Sequence, residues 1–403
     1  MKYSLATPSW GIEEKDAAKS VIDSGNCTMG VITKKLEREF ADYFGSKYCV
    51  MSNSGSSANL LAISSLLYRR NGLSLKKGDT ILVPTVSWST SYFPLHQCGL
   101  RIKFIDIDKN TLNIDVTQIE QYITPDVKAI LAVNILGNSC DFNKLVDICN
   151  KYNIILIEDN CESMGATYGS KYCGTFGVLG SFSSFFSHHI CTVEGGFTIT
   201  NDEELYQIMC SLRAHGWVRE LPKNNHVYNK NDEPFVDLYK FVLPGYNLRT
   251  NDIFAAIGLE QLKKLPGFLE ERRKNAKYFN EQIKKLNING VQLRTQAEQD
   301  NSSSSCFGFA IILEGELKNR RNEFVKYLQT NGVECRPIVA GNFTKNPVIN
   351  HISYECTTDT IADEIDACGF FIGNNHVDMV KEIDYFINLT ITFKDKNAKP
   401  SLP

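Results

Sequence analysis

The sequence has no run of about eighteen apolar residues, so it offers no candidate for a membrane-spanning helix. Its opening stretch, MKYSLATPSWGIEEKD, lacks a long apolar core behind the early lysine; no secretory signal is expected, and a cytoplasmic location is. A basic surplus is also missing. With 43 Lys+Arg against 46 Asp+Glu the formal charge is -3, which removes the electrostatic footprint of a nucleic-acid binder. A small molecule is the expected partner. The thirteen cysteines stand singly between Cys27 and Cys368, with no CxxC pair and no histidine at zinc spacing. That pattern speaks against a disulfide framework and against metal, and predicts reduced, mostly buried thiols.

What is present is enough chain for a large core: 403 residues, 43% of them hydrophobic. Short apolar runs recur between Ser46 and Thr200, namely TILVP at Thr80 to Pro84, IKFIDI at Ile102 to Ile107, AILAVNIL at Ala129 to Leu136 and IILIED at Ile154 to Asp159. Continuous runs of this kind predict strands buried on both faces. Helical patterns lie between them, at Ser57 to Tyr68 and at Asp141 to Tyr152, the second opened by an aspartate suited to capping. The alternation predicts an α/β domain with a mainly parallel sheet. After Asn201 helices dominate, interrupted by a polar irregular stretch from Lys223 to Glu233. From Pro266 a charged helix leads into strand and helix candidates such as FGFAIIL and NEFVKYLQTNG. Residues 1–265 are therefore expected to form an N-terminal arm and large domain. Residues 266–403 are expected to form a smaller α+β domain, ending in a loose tail from Phe393.

Three segments carry residues with chemical potential. SNSGSSANL, Ser52 to Leu60, turns from a strand at Tyr48 to Met51 into a helix, where small residues, unpaired amides and the helix dipole suit a phosphate. A simple helix cap fits it as well. IEDNCESMG sets Asp159 at the carboxyl end of a strand, where an acid can pair with a protonated ring nitrogen or merely cap the next turn. SFSSFFSHHICTVEGGF brings His188 and His189 close to a Gly-Gly turn. Histidine titrates near neutrality and moves protons in either direction. On a strand the two would point to opposite sides, so only one is expected to reach a shared site.

Together these segments resemble the DegT/DnrJ/EryC1/StrS family of sugar aminotransferases, fold-type I enzymes of pyridoxal phosphate. The resemblance runs from about Leu5 to Tyr385 and rests on SGSSANL, VPTVSWST, EDNCESMGA, SFSSFFSHH with its following EGG, and GYNLRTNDIFAAIGLEQL. It implies a large domain with a mostly parallel mixed sheet and a smaller α+β C-terminal domain. One departure stands out. Six residues before Glu194-Gly195-Gly196, where the family's aminotransferases keep the lysine that holds the cofactor covalently, this chain has His188. Within the family that exchange marks the 3-dehydratases of sugar deoxygenation.

The resemblance thus implies a dehydratase that uses pyridoxal and pyridoxamine phosphate. It would remove the 3-hydroxyl of a GDP-linked 4-keto-6-deoxy sugar, a hexose or a heptose, in 3,6-dideoxy-sugar synthesis for surface polysaccharide. L-glutamate would load the cofactor's amino group, His188 would carry the protons, and ammonia would be released. Carried over by match, Asp159 would bind the pyridine nitrogen, Trp88 would stack on the ring, and Gly55, Ser56, Ser57 and Ser183 would hold the phosphate. Glu162 would lie near the ring's 3-oxygen, and Asn247 would reach the cofactor phosphate of a second subunit, making the enzyme a homodimer. His215 and Arg219 are candidates for substrate contact, although a helix-end histidine and a solvated arginine fit them equally. Three other readings stand beside this one: an ordinary aminotransferase using another lysine, an iron–sulfur 3-dehydratase, and a regulator without activity. The iron–sulfur enzyme would need four closely placed thiolates, and the tight CxC element associated with it is absent.

Overall fold

Strands form where the sequence runs apolar without interruption. β1 (Tyr48–Ser52), β2 (Thr80–Pro84), β3 (Arg101–Ile105), β4 (Val127–Val133) and β5 (Ile155–Asp159) join Leu179–Ser183, Gly196–Thr200 and Tyr354–Cys356 in one eight-stranded sheet. The computed structural model describes residues 2–288, 291–357 and 360–397. Within β2, Ile81 and Val83 enter one core while Leu82 enters the opposite one, as alternate pointing along a strand requires. Helices cover both faces: Gly55–Leu66 supplies Leu61 and Leu66 to the first core, and Phe142–Tyr152 supplies Leu145 and Ile148 to the second. Where both faces are covered, as along β2, the strand can stay apolar over most of its length.

Gly196–Thr200 runs antiparallel to both its neighbours, while the remaining pairs in this sheet are parallel. The carboxyl ends of β1, β2, β5 and Leu179–Ser183 therefore meet the amino end of Gly196–Thr200 along one edge. Register makes this concrete: Ser52 and Ser183 both lie opposite Gly196, and Asp159 lies opposite Ser181. Open α/β sheets bind their ligands at this kind of edge.

A second sheet of four antiparallel strands, ordered Leu293–Thr295, Gly308–Leu313, Gly369–Gly373 and Cys335–Arg336, has its own core around Phe279, Phe324, Phe370 and Phe386. Tyr3 is buried in that core, with its hydroxyl donating to the Gly373 carbonyl at 2.9 Å. The start of the chain is thus tied to its C-terminal part. A helix of 37 residues, Asp252–Ile288, joins the two regions and does not break at Pro266. Proline removes one backbone donor there, but Leu262, Leu265 and Leu269 are buried on both sides of it and hold the helix together. Leu265 and Pro266, between which the sequence suggested a division, lie in the middle of this helix.

Two further expectations change. The AILAVNIL run is a strand only to Val133; Asn134 leaves the sheet, its side chain donating to Asn160 Oδ1 at 2.7 Å and accepting the Cys140 amide at 2.8 Å. The expected loose tail is helical as far as Asn397, because Phe386, Leu389 and Phe393 on one side of the helix Val380–Asn397 are buried in the second core. Residues 398–403 of that tail lie outside the described residues. Among the described residues no helix is long and apolar enough to cross a membrane, and no cluster of His, Cys, Asp and Glu could hold a metal ion.

Candidate active site

The site grows from the strand edge. Asp159, the last residue of β5, is buried, and its carboxylate is held from three directions. Asn59 Nδ2 and Ser91 Oγ donate to Oδ2 at 2.8 and 2.7 Å, and the Cys161 amide donates to Oδ1 at 3.0 Å. Asn59 is in turn fixed by Ser181, whose hydroxyl donates to its Oδ1 at 2.5 Å. Oδ1 retains capacity for one more donor, which a protonated ring nitrogen would provide.

Beside it, the turn after β1 forms a cup. Ser54 caps the helix Gly55–Leu66 by accepting the Ser57 amide at 3.1 Å, Ser57 donates its hydroxyl to Asn53 Oδ1 at 2.5 Å, and Ser56 donates to Thr90 Oγ1 at 3.0 Å. A Cβ on Gly55 would lie 2.6 Å from the Ser183 Cβ, and one on Gly196 would clash with the Ser54 carbonyl. Glycine is needed at both positions for close approach of backbone, not for an unusual φ. Gly55, Ser56, Ser57 and Ser183 are thus brought together at a helix N-terminus, the arrangement that suits a phosphate. Trp88, immediately ahead of the helix Ser89–Gln97, leaves 57% of its surface open although Ser91 of that helix bonds Asp159. An indole so exposed beside a buried acid offers a flat apolar face to a ring.

Glu162 is half-buried and accepts the Leu136 amide at 2.9 Å on Oε2. Burial pushes its carboxyl up to about 7, against the opposing Leu136 hydrogen bond and with a further push from Asp159. Leu136 has a left-handed backbone, φ 51°, uncommon for a branched residue. Glu158, one position before Asp159, points elsewhere: its carboxylate collects the amides of Gly174, Phe176 and Gly177 and braces a turn.

His188 and His189 lie in the segment between the strands Leu179–Ser183 and Gly196–Thr200, not on a strand, so the expectation that they point to opposite sides does not hold. The chain turns here, the His188 amide donating to the Phe185 carbonyl at 2.9 Å, and both imidazoles rest near one ring: Phe307 is 5.2 Å from His188 and 5.7 Å from His189. They differ in bonding. The His189 Nε2 pairs with the Ser305 carbonyl at 3.1 Å, whereas among the described residues neither ring nitrogen of His188 makes a hydrogen bond; the Nδ1 of both rings is enclosed without a partner. Burial, with a smaller push from the Arg272 cation, lowers His188 to about 4, so at neutral pH it is an uncharged proton acceptor. The segment is pinned from outside by Trp10, which donates to the Cys191 carbonyl at 2.9 Å, and by Gln261, which accepts the Cys191 amide at 3.0 Å.

The remaining expected residues lie apart from this group. Asn247 is exposed and its Oδ1 accepts from Arg249 Nε at 3.1 Å. His215 has φ 65° and its ring meets Trp217 edge-on at 5.9 Å; the exposed Arg219 guanidinium sits 5.7 Å over the same indole. No contact joins His215 or Arg219 to Asp159 or His188 among the described residues. Sequence reasoning passed over Asn59, Ser91, Phe307 and Arg272. Asn59 was within the quoted SGSSANL turn, two residues beyond the serines, so a polar side chain about one helical turn on from the cap was its available signal. The other three meet the site only through tertiary contacts.

The residues present fit a phosphorylated pyridine: a buried acid with an open acceptor site, an exposed indole, a hydroxyl-lined helix N-terminus and an imidazole nitrogen with no partner of its own. Fold and site together define a protein of the α/β class built on the pyridoxal phosphate aminotransferase architecture. The chain belongs to the DegT/DnrJ/EryC1/StrS aminotransferase family, which matches residues 8–367. It is similar to a GDP-4-keto-6-deoxy-D-mannose 3-dehydratase of Escherichia coli O55:H7, 49% identical over 388 residues that cover 96% of this chain and 98% of the relative. A solved E. coli GDP-4-keto-6-deoxy-D-mannose-3-dehydratase with bound hydrated PLP superposes with a TM-score of 0.93 at 49% identity, covering 97% of this chain and 99% of the other. A crystal structure of a GDP-4-keto-6-deoxymannose-3-dehydratase with a trapped PLP-glutamate geminal diamine gives 0.92 at 48% identity, over 96% and 100% of the two chains.

Proposed function

We propose that this protein is a 3-dehydratase of a GDP-linked 4-keto-6-deoxy sugar, GDP-4-keto-6-deoxy-D-mannose by its 49% identity to a dehydratase of that substrate, dependent on pyridoxal and pyridoxamine phosphate. The observation that carries this reading is His188, an uncharged, unpartnered imidazole at the position where the family's aminotransferases keep a covalent lysine. When bound, the cofactor supplies an amino group and a protonated ring that accepts electrons. Asp159 receives the ring N–H and, held by Asn59, Ser91 and Cys161, keeps it protonated. Trp88 would stack on the ring, the Gly55 to Ser57 turn and Ser183 would hold the phosphate, and Glu162 would lie near the 3-oxygen. His188 accepts a proton at Nε2 and returns it, first in the glutamate half-reaction and then to the departing 3-hydroxyl. The anionic groups of cofactor and sugar nucleotide favour its protonated form and so make the return possible. The sum is one sugar hydroxyl replaced by hydrogen, with glutamate leaving as 2-oxoglutarate and ammonia.

Histidine in place of lysine also means that the cofactor is held without a covalent bond. Dialysis should remove it, and borohydride treatment should leave no cofactor attached to a lysine; a reduced lysine adduct would assign the chain to the aminotransferases instead. Ammonia release with glutamate and a panel of nucleotide-linked 4-keto sugars, a heptose among them, tests the substrate. Release with the GDP-linked hexose is expected, and no release with any sugar would refute the reading. His215 and Arg219, on the Trp217 aromatic cluster, are assigned to the sugar nucleotide. Asn247 is assigned to the cofactor phosphate of a second copy, so the working enzyme is a homodimer; a fully active monomer in sedimentation would overturn that. The ten buried thiols fit the reducing cytoplasm, where we place the enzyme.

A further inference from the structure

Behind the two histidines lies a cation that the reaction as described does not use. Arg272, midway along the helix Asp252–Ile288, is only 3% exposed. Buried guanidinium groups ordinarily meet a carboxylate, since desolvation is otherwise uncompensated. None of the described residues supplies one: Arg272 Nη1 donates to the carbonyls of Phe307 and Asn374, at 3.1 and 2.5 Å, and Nε has no partner. Asn374 closes the ring by donating Nδ2 to the Arg272 and Cys306 carbonyls at 2.9 and 2.8 Å.

That ring fixes Phe307. Its amide donates to the Leu136 carbonyl at 3.0 Å and its carbonyl is held by Arg272, so both backbone groups are anchored while its ring faces His188 and His189. The preceding residue, Cys306, has φ 51°, a left-handed turn that a side-chain-bearing residue keeps only when its surroundings insist. A neutral side chain could hold two carbonyls equally well. The charge therefore calls for a separate explanation, and the neighbours provide it. Arg272 acts on His188, on His189 together with Arg273 and His188, and on the partly buried His376, while Cys306 precedes Phe307 on the segment that faces the two rings. Arg273 is directed to the Gly165 and Ser304 carbonyls, Cys306 stays a thiol with burial raising it to about 11, and Arg272 is the cation whose field reaches both histidines. Burial lowers Arg272 itself only to about 10, so it remains charged across the working range.

We propose that Arg272 is a positioning residue for His188: by holding the Phe307 carbonyl it seats Phe307 as the wall against which the imidazole rests, and it sets an uncompensated cation behind that wall. The inference rests on reading His188 as the proton carrier, and one of its two readouts, the His188 titration midpoint, does not depend on turnover. Histidine-ring NMR of the full-length protein, with the His188 signal assigned by its loss in His188→Asn, gives the His188 titration midpoint. Arg272→Met keeps length and removes charge; the midpoint should rise by on the order of one pH unit, and kcat should fall about tenfold or more with KM for the sugar nearly unchanged. Arg272→Lys keeps the charge but not the two-carbonyl geometry, so its midpoint should stay near the parent's while kcat still falls. Phe307→Leu, which leaves Arg272 in place, should likewise lower kcat without raising the midpoint. These last two keep the proposal testable if Arg272→Met does not fold. A folded Arg272→Met with parental midpoint and kcat would overturn it, as would a rise in midpoint in Arg272→Lys as large as in the methionine variant. Full activity in His188→Asn would sink the reading of His188 instead, while leaving the effect of Arg272 on the midpoint measurable.

Discussion

The two sides of the site are built on opposite principles. On the Asp159 side, the carboxylate already has three donors, and those donors have partners in turn. On the His188 side, the ring is enclosed by Phe185 and Phe307, pushed away from charge, and left with Nδ1 unbonded. A group that must hold a ligand in one place benefits from being satisfied and rigid, because little is left to reorganise when the ligand arrives. A group that must exchange protons cannot be committed to a strong partner within the chain. The contrast is the one expected if the Asp159 side anchors a ligand and the His188 side moves protons.

The sharpest way to break this comparison is His188→Asn. Asparagine keeps polarity and rough size but cannot titrate, so ammonia release should fall by about two to four orders of magnitude while the fold, read by circular dichroism, is kept. Near-parental turnover would move the proton carrier elsewhere, with His215 the next to examine. Asp159→Asn comes second. An amide in that place turns one acceptor into a donor facing Asn59 and Ser91, and removes the charge opposite a ring N–H. Loss of a charged hydrogen bond should weaken cofactor binding about 10- to 100-fold, measured by absorbance titration; unchanged affinity would mean that Asp159 does not anchor the ring. Gly55→Ala ranks third, because the added methyl meets Ser183 at 2.6 Å and narrows the phosphate cup. Inorganic phosphate should then compete less well against the cofactor than it does in the parent, and equal competition would place the phosphate elsewhere.

The anchoring side was largely legible in the sequence. Asp159 ends an apolar run that becomes β5, and SGSSANL sits between strand and helix, because strands buried on both faces leave uninterrupted apolar runs and their ends are marked by the first polar residues. The reactive side was legible by identity but not by geometry. His188 was singled out by its place before Glu194-Gly195-Gly196, yet SFSSFFSHH has strand-like composition where the chain turns, and the contacts that pin the segment at Cys191 come from Trp10 and Gln261, far away in the chain. Arg272 was invisible for a related reason. In FLEERRKNAKYF it looks like any solvated helix arginine, and only the carbonyls of Phe307 and Asn374 make it a buried one. Pro266 misled in the opposite direction, because a local helix breaker was overruled by the leucines buried around it.

The smallest effect expected of the comparison is in stability, and its sign differs between the two sides. Folding lowers His188 from the ordinary 6.5 to about 4, chiefly by burial. As pH falls from 6.5 toward 4 the unfolded chain takes up this proton first, so stability is lost across that window and is intact above it. Folding raises Glu162 from 4.5 to about 7, again chiefly by burial. Here the unfolded carboxyl ionises first as pH rises, so stability is intact below 4.5 and is lost between 4.5 and 7. Thermal melts of the cofactor-free protein across pH 4.5 to 7 should therefore separate two variants. His188→Asn should lose less in Tm than the parent on acidification from 6.5, and Glu162→Gln should lose less on the rise from 4.5. Both side chains are half-buried and shifted by similar amounts, so the two variants should differ in the direction of their pH dependence rather than in its size. Parallel Tm profiles for parent and both variants would mean that neither group is perturbed by its setting, and the distinction drawn between a satisfied anchor and an unsatisfied base would lose its electrostatic half.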